Sequence, residues 1–528
     1  LLIKAPKYYS EPRLRQSMSE GLRTTLNALI NYEHTFSGSH AIKVLAGIEG
    51  VESNSMNFWA FRRYYISTVA QELFAGGADE KNNDGSSSES ARLNYFGRLN
   101  YNFMEKYMAE FVWRYDGSYM FPKEGRFGFF PGVSLGWRIS EEEFWQNNIA
   151  FINYFKLRGS WGQTGNDRIE EFQYLSTYGF TTPYVFDNSI EVKTLREQRI
   201  PNTSITWEVA NQTNIGFDSK ILNDKITFSA EYFYNFRSKI LWQRNASVPV
   251  STGLTLPREN IGEVLNQGFE FEIGYNNTSG AFNYQVSFNG AYQKNKIKFW
   301  DETPGVPDYQ KSTGHPMGSR LLYQAIGIFR DEAALDKYPH WAGAQPGDII
   351  FEDVNKDGEI NGLDMKMNYK TDLPRFTGGI DINLGYKNFY ANFLFQGAAG
   401  AVTIHYTNSG LFGNYLKQDA EGRWTEDNPD ATKPRAWNFS DEYWMEDYNI
   451  NNTYFLKSTD YIRLKNAEIG YNLPASINKR IGMKGCRIYL NGLNIFTLTK
   501  LLDYDPETNS YTGYPPIKVF NAGISLTL

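Results

Sequence analysis

No stretch of the 528-residue sequence holds the roughly eighteen consecutive apolar residues that a membrane-spanning helix needs. Cysteine is nearly absent: Cys486 stands alone, which excludes an intrachain disulfide and a thiolate metal cluster and leaves a small buried hydrophobe as its expected role. Histidine is also scarce, and His34, His40, His315, His340 and His405 are scattered along the chain. With no Gly-x-Ser-x-Gly elbow, no Cys/His pair and carboxylates spread along the sequence, no catalytic constellation emerges, and the chain is expected not to be an enzyme. Basic residues gather into no stripe, and a net charge of −6 argues against a nucleic-acid partner. The opening Leu1-Leu2-Ile3-Lys4 has neither an initiator Met nor a signal peptide, so the sequence is expected to begin partway through something larger.

Aromatic residues are abundant. Tyr 36, Phe 37 and Trp 12 together make 16% of the chain, yet the mean hydropathy is only −0.51. A membrane β-barrel combines these properties, because its outer face carries an apolar band flanked by aromatic girdles while its inner face and loops stay polar. A large secreted β-sandwich or propeller fits composition equally well.

Period-two alternation separates the two. Leu93, Tyr95, Gly97, Leu99, Tyr101 and Phe103 alternate with Asn94, Arg98, Asn100 and Asn102, Phe96 being the misfit, and after Met104-Glu105-Lys106 the pattern returns through Ala109, Phe111, Trp113 and Tyr115. Phe269, Phe271, Ile273 and Tyr275 interleave with Glu270 and Glu272, and Tyr284, Val286 and Phe288 interleave with Gln285 and Ser287. A third pair runs Ile380 to Tyr386 and Phe389 to Phe395, with Asp381, Asn383, Asn392 and Gln396 on its polar face. Each arm is about ten residues, the reach of one tilted membrane strand. The sequence ends on Phe520, Ala522, Ile524, Leu526 and Leu528 alternating with Asn521, Gly523, Ser525 and Thr527. Short turns at 104–107, 221–224, 276–280 and 386–388 alternate with long polar connections at 165–205, 238–264, 295–374 and 402–458, the asymmetry of short periplasmic turns and long outer loops. The fold class expected is an all-β transmembrane antiparallel barrel with about fifteen strands in this chain. Residues 1–90 are assigned to N-terminal barrel strands and a flexible outer loop, the latter Ala75 to Ala91 with its Asp84 to Ser90 polar tract, and 91–528 to further strands of the same barrel.

Several blocks then resemble one family. Asp116-Gly117-Ser118, Arg126-Phe127-Gly128-Phe129-Phe130-Pro131 and Gly136-Trp137-Arg138-Ile139-Ser140-Glu141-Glu142 are similar to the signature of SusC/RagA-type TonB-dependent transporters. In order follow Leu157 to Asn166, Trp207-Glu208, Gln212 to Gly216, Asn266 to Glu270, Tyr461-Ile462-Arg463-Leu464-Lys465-Asn466, Asn491 to Phe496 and Asp505-Pro506-Glu507. The resemblance covers roughly residues 90 to 528. It implies a complete barrel of about 22 strands with a plugged lumen, the plug and TonB-contacting box being absent from this chain. It implies TonB-dependent import of a bulky nutrient, a glycan or peptide, across the outer membrane of a Bacteroidetes-like Gram-negative bacterium. The implied partners are a SusD-like surface lipoprotein as lid, the TonB-ExbB-ExbD complex, and membrane lipid or lipopolysaccharide. A passive porin, an outer-membrane adhesin or receptor, and a soluble glycan-binding β-protein are the rival functions.

Within the 295–374 connection, Asp353, Asn355, Asp357, Gly358, Glu359, Asn361 and Asp364 follow the spacing of an EF-hand loop, with Asp in place of Glu at the last position. Hard oxygen ligands at Asp353, Asn355, Asp357, Glu359, Asn361 and Asp364 suit Ca²⁺ or Mg²⁺, and an Asx-rich turn without an ion is the alternative. No organic cofactor is expected. Trp341, Tyr406, Tyr415 and Trp424 are loop aromatics on which a sugar face can stack, the alternative being girdle or loop-core packing.

Overall fold

The computed structural model describes residues 11–187, 190–197, 199–244, 256–405, 417–438, 441–445, 451–501, 505–508 and 514–528. Its main element is one antiparallel sheet of fifteen strands, from Arg13–Phe36 to Val519–Thr527, in which successive strands lie side by side in chain order. The count matches the alternation in the sequence, and no helix is long and apolar enough to cross a membrane among the described residues.

The register shows why the alternation matters. Tyr101, Ala109, Leu135, Gly159 and Ile215 stand opposite one another in a row crossing five strands. One residue along, Asn100, Glu110, Ser134, Ser160 and Asn214 form the neighbouring row on the other face. The period of two therefore yields one apolar and one polar surface across these strands. Leu135, Ile215 and Leu490 remain more than 60% exposed on the apolar face, which is the arrangement of a wall whose outer solvent is lipid. A Lys or Arg at the centre of such a face costs about 2–4 kcal/mol.

Phe96 breaks the pattern for a packing reason. It points to the polar face, where the Arg114 guanidinium lies 5.3 Å from its ring centre. The ring fills space that only Gly47 leaves open, since a Cβ there would stand 2.6 Å from Phe96 Cζ.

The short connections fall at 37–39, 104–106, 222–225, 278–281 and 387–388, all at one end of the sheet. Beside them runs a band of rings: His40 and Phe103 have centroids 4.6 Å apart, Phe103 and Tyr107 6.3 Å, Tyr107 and Trp137 6.3 Å, and Phe389 and Tyr471 4.6 Å. Glu142, from the turn after Trp137, anchors this girdle by accepting from Tyr107 Oη at 2.6 Å and Trp137 Nε1 at 3.1 Å.

Two sequence expectations need correction. The Asp84 to Ser90 tract is not a flexible loop but part of the strand Asn82–Phe103, paired with Ser53 to Trp59. It lies beyond Arg92, which faces Ser118 at the end of the next strand, so it rises clear of the apolar belt. There the ladder is reinforced by polar contacts such as Ser55 Oγ to Ser88 Oγ at 2.8 Å and Asn57 Nδ2 to Ser86 Oγ at 2.8 Å. The connection expected at 238–264 is shorter, because the flanking strands continue to Gln243 and resume at Arg258. The 295–374 connection begins after Phe299 and ends before Phe376.

At the opposite end, the connections 300–375 and 400–460 form a layer of their own. It contains the strand pairs Leu321–Tyr323 with Met365–Met367, Ala325–Ile328 with Ile349–Phe351, and Val402–Ile404 with Leu456–Ser458. Tyr323, Ile349, Phe351, Ile360, Tyr443, Trp444 and Phe455 make its buried core.

Candidate functional site

On the polar face, Arg158, Gly216, Glu231, Glu270 and Ala291 form a row across five strands. Gly216 carries no side chain, so the Arg158 guanidinium reaches over it to pair with Glu231, and also lies 3.3 Å from Asp218. Glu231 and Glu270 are direct cross-strand neighbours. Like charges placed so destabilise a sheet, and Arg158 offsets the first of the two.

Arg158, Glu231, Glu270 and Ala291 border a cavity of about 890 Å³ whose wall includes Glu272, Asn289 and Gln396. Its outer end is built by three connections, through Asp372, Thr459 and Glu507. Arg158 is the one cationic residue among the described residues that line it. The space is that of a drug-sized or larger ligand site, and its lining of carboxylates, amides and Tyr461 offers acceptors and donors for a polar solute.

The wall beside this cavity holds a fully buried arginine. Arg463 pairs with Asp505 and Glu507 and donates through Nε to Thr497 Oγ1 at 2.9 Å. Two blocks that lie far apart in sequence, Tyr461 to Asn466 and Asp505-Pro506-Glu507, are thus one cluster in space. A second pairing of blocks occurs where Trp207 Nε1 donates to the Arg126 carbonyl at 3.2 Å and its ring packs against Phe121 and Phe130. Phe130 in turn lies over Gly165, and a Cβ on Gly165 would meet Phe130 Cζ at 2.1 Å.

In the outer layer Asp348 is fully buried and ties the two long connections together. It accepts from Gln345 N–H at 2.9 Å and Trp444 Nε1 at 2.8 Å and pairs with Arg435 at 2.7 Å, while Arg435 also pairs with Asp441 at 2.7 Å. Burial pushes the Asp348 carboxyl up to about 6, outweighing the opposing pull of Arg435.

Neither described loop aromatic, Trp341 nor Trp424, lines the cavity. Trp341 stacks on Phe351 and Tyr443, with centroids 5.1 and 4.9 Å apart, inside the outer-layer core. Trp424 donates to the Arg330 carbonyl at 3.2 Å and covers Gly347. Tyr406 and Tyr415 lie outside the described residues. The cavity residues Glu231 and Asp372 were not singled out from sequence, because alternation assigns a strand residue to a face but not to a depth and says nothing of a residue in a connection such as Asp372.

The 353–364 loop is a closed turn. Gly358 N–H donates to Asp353 Oδ2 at 2.9 Å, Asp357 N–H to Asn355 Oδ1 at 3.1 Å and Glu359 N–H to Asp357 Oδ1 at 2.9 Å. The Glu359 N–H, followed by the Asn355 side chain, holds Asp357 below the usual carboxylate range. Gly358 has φ +88, which favours glycine, and Ile360 is buried in the outer-layer core. Asp364 is fully buried and acts as a staple, its oxygens taking the Val354 and Asn361 N–H groups at 2.8 Å each. Asn361 caps the turn by accepting from Leu363 N–H at 2.8 Å, and Glu359 is exposed. Asp353 Oδ1 is buried without a hydrogen-bond partner. No group of three or more His, Cys, Asp or Glu is gathered for a metal among the described residues, so a cation here would draw on the Asn355 and Asn361 amides beside Asp353 and Asp357.

Residues 7–495 match the family model described as TonB dependent receptor-like, beta-barrel. The chain belongs to that family. Its barrels are outer-membrane proteins of Gram-negative bacteria. It is 28% identical over 541 residues to TonB-dependent receptor P3 of Formosa agariphila, covering 96% of this chain and 52% of that protein. It is 28% identical over 458 residues to TonB-dependent receptor SusC of Bacteroides thetaiotaomicron, covering 82% of this chain and 43% of the relative. The chain therefore spans about half the length of the curated relatives it matches. The fold is similar to a solved structure of the RagAB peptide importer in its open-open state, with a TM-score of 0.80, 21% identity, and 98% of this chain and 56% of that chain covered. For a TonB-dependent receptor barrel, the polar face with its cavity is the lumen wall, the apolar face meets lipid, and the long connections lie at the outer end.

Proposed function

We propose that this chain is the barrel wall of an importer that takes a bulky polar nutrient, a glycan or a peptide, across the outer membrane in a TonB-dependent step. The observation that carries this reading is the cavity of about 890 Å³ on the lumen wall beneath the outer connections. Its carboxylates and amides suit the hydroxyls of a saccharide or the N–H groups of a peptide backbone. A SusD-like lipoprotein covers the outer layer as a lid, a plug outside this chain closes the lumen, and the inner-membrane TonB-ExbB-ExbD complex supplies energy. The source is a Bacteroidetes-like bacterium. Growth of a deletion strain on panels of oligosaccharides and peptides, complemented with the full-length protein in cells with and without TonB, tests the reading. Growth restored on a glycan or peptide only when TonB is present supports it. Restoration that persists without TonB points to a passive pore, and failure to restore growth on any member of either class removes the import role.

We also infer that the 353–364 loop takes a hard divalent cation, Ca²⁺ or Mg²⁺, on Asp353, Asn355, Asp357 and Asn361, with Asp364 serving as the staple of the turn and not as a ligand. The unpartnered Asp353 Oδ1 and the left-handed turn at Gly358 support this. A site of this kind would hold the outer layer in shape and perform no chemistry.

A further inference from the structure

We propose that Arg463 is a positioning residue that pins the segment 505–508 against the lumen wall, making Glu507 the latch at the outer end of the cavity. The inference rests on the import reading for its purpose, since the cavity is taken as part of the cargo path.

Glu507 meets four donors of the wall. Besides Arg463, its Oε1 accepts from Tyr461 Oη at 3.0 Å and Gln396 Nε2 at 3.4 Å, and Oε2 lies 3.4 Å from Lys465 Nζ. Gln396 and Tyr461 belong to the adjacent strands Phe389–Ala399 and Tyr461–Asn472. The latch therefore spans a seam between strands. The segment is itself stiffened, because Glu507 N–H donates to Asp505 Oδ1 and Thr508 N–H to the Asp505 carbonyl, each at 3.0 Å. Pro506 between them has a restricted φ.

Stability alone is a poor reason for this arrangement. Burying the Arg463 guanidinium carries a desolvation cost that apolar packing would avoid, and such a pair is weak evidence for stabilisation. What the forked guanidinium does supply is direction. One nitrogen faces Asp505, another Glu507, and Nε is committed to Thr497, so the segment has one seated position. In that position Pro506 and Glu507 complete the cavity wall together with Asp372. Freed from Arg463, the same carboxylates are drawn to water, and the outer end of the cavity opens.

The test needs no identified cargo. In the full-length protein, Cys486→Ser removes the native thiol, which sits on a lipid-facing strand position, and Ala291→Cys places a reporter in the cavity wall beside Glu270. Intact cells are treated with a membrane-impermeant thiol reagent, and labelling rates are compared. Glu507→Gln leaves the buried Arg463 guanidinium short of a carboxylate and Arg463→Lys loses the fork, so each is expected to speed labelling by about tenfold or more. Arg330→Gln, which breaks the exposed pair with Asp430, should leave the rate unchanged. Heat-modifiable gel mobility verifies that each variant is a folded barrel, and Ala398→Cys serves as reporter if Ala291→Cys does not assemble. Equal labelling of parent, Glu507→Gln and Arg463→Lys overturns the latch. So does equal acceleration by Arg330→Gln, which would show that any loosened outer connection has the same effect. Labelling is read with and without TonB, so a latch confirmed in cells that show no uptake would separate failure of the import reading from failure of this one.

Discussion

Glu231 and Glu270 face each other directly across two antiparallel strands of the lumen wall, and Arg158 pairs with Glu231 and Asp218 but not with Glu270. Directly opposed like charges destabilise a sheet. Glu270→Gln is therefore expected to raise resistance to urea unfolding in detergent by up to about 1 kcal/mol. Arg158→Gln should lower it, and the double variant should recover most of the loss. If Glu270→Gln destabilises the barrel, the acid has a structural partner and its placement is not a concession to cargo.

Gly165 and Phe130 make a sharper structural prediction. A methyl group on Gly165 collides with the ring at 2.1 Å, and the ring is held by Trp207 on its other side. Gly165→Ala should cost about 1–3 kcal/mol through overpacking. Gly165→Ala combined with Phe130→Leu should restore part of that loss, as measured by the midpoint of heat-induced loss of the folded gel form.

The outer layer should respond to pH through Asp348. Its carboxyl is raised by burial to about 6 in the folded layer, against about 3.9 in an unfolded chain. A group raised in this way contributes stability that is fully present below the unfolded value and is lost as pH climbs through the folded one. Hydrogen exchange at 345–351 and 441–445, corrected for intrinsic rates, should therefore quicken between about pH 4 and 6.5. Asp348→Asn should flatten this dependence, and an unaltered profile in that variant would assign it to another group.

Cation binding by the 353–364 loop is checked by calorimetry on the detergent-purified protein. Ca²⁺ or Mg²⁺ should bind at one site, and Asp353→Ala should abolish the signal, as should removal of the ion with chelator. Heat unaffected by Asp353→Ala would leave the loop as an Asx-rich turn.

Much of the wall was legible in the sequence because a period of two needs no knowledge of partners: Leu99 and Phe111 fall in the apolar sets of the alternation and stand opposite each other across two strands. The Asp84 to Ser90 strand was hidden because it leaves the lipid belt, where nothing requires every second residue to be apolar. Phe96 could be flagged as a misfit but not explained, since Gly47, which makes room for it, lies on another strand. The same limit applies to the site. Arg463 and Glu507 each stood in a recognisable block, but their contact depends on the path of an intervening strand and turn. The Asp353 to Asp364 spacing was plain, whereas the use of Asp364 as a staple for two backbone N–H groups depends on the fold of the turn.

The central claim, a TonB-dependent importer of SusC/RagA type working with a surface lipoprotein, is tested most directly by purifying the native protein from outer membranes in mild detergent. Every co-purifying polypeptide is then identified by mass spectrometry. The account predicts a SusD-like lipoprotein in stoichiometric amount, together with plug sequence upstream in the same chain or alongside it. Recovery of the barrel with neither plug nor lipoprotein would contradict it.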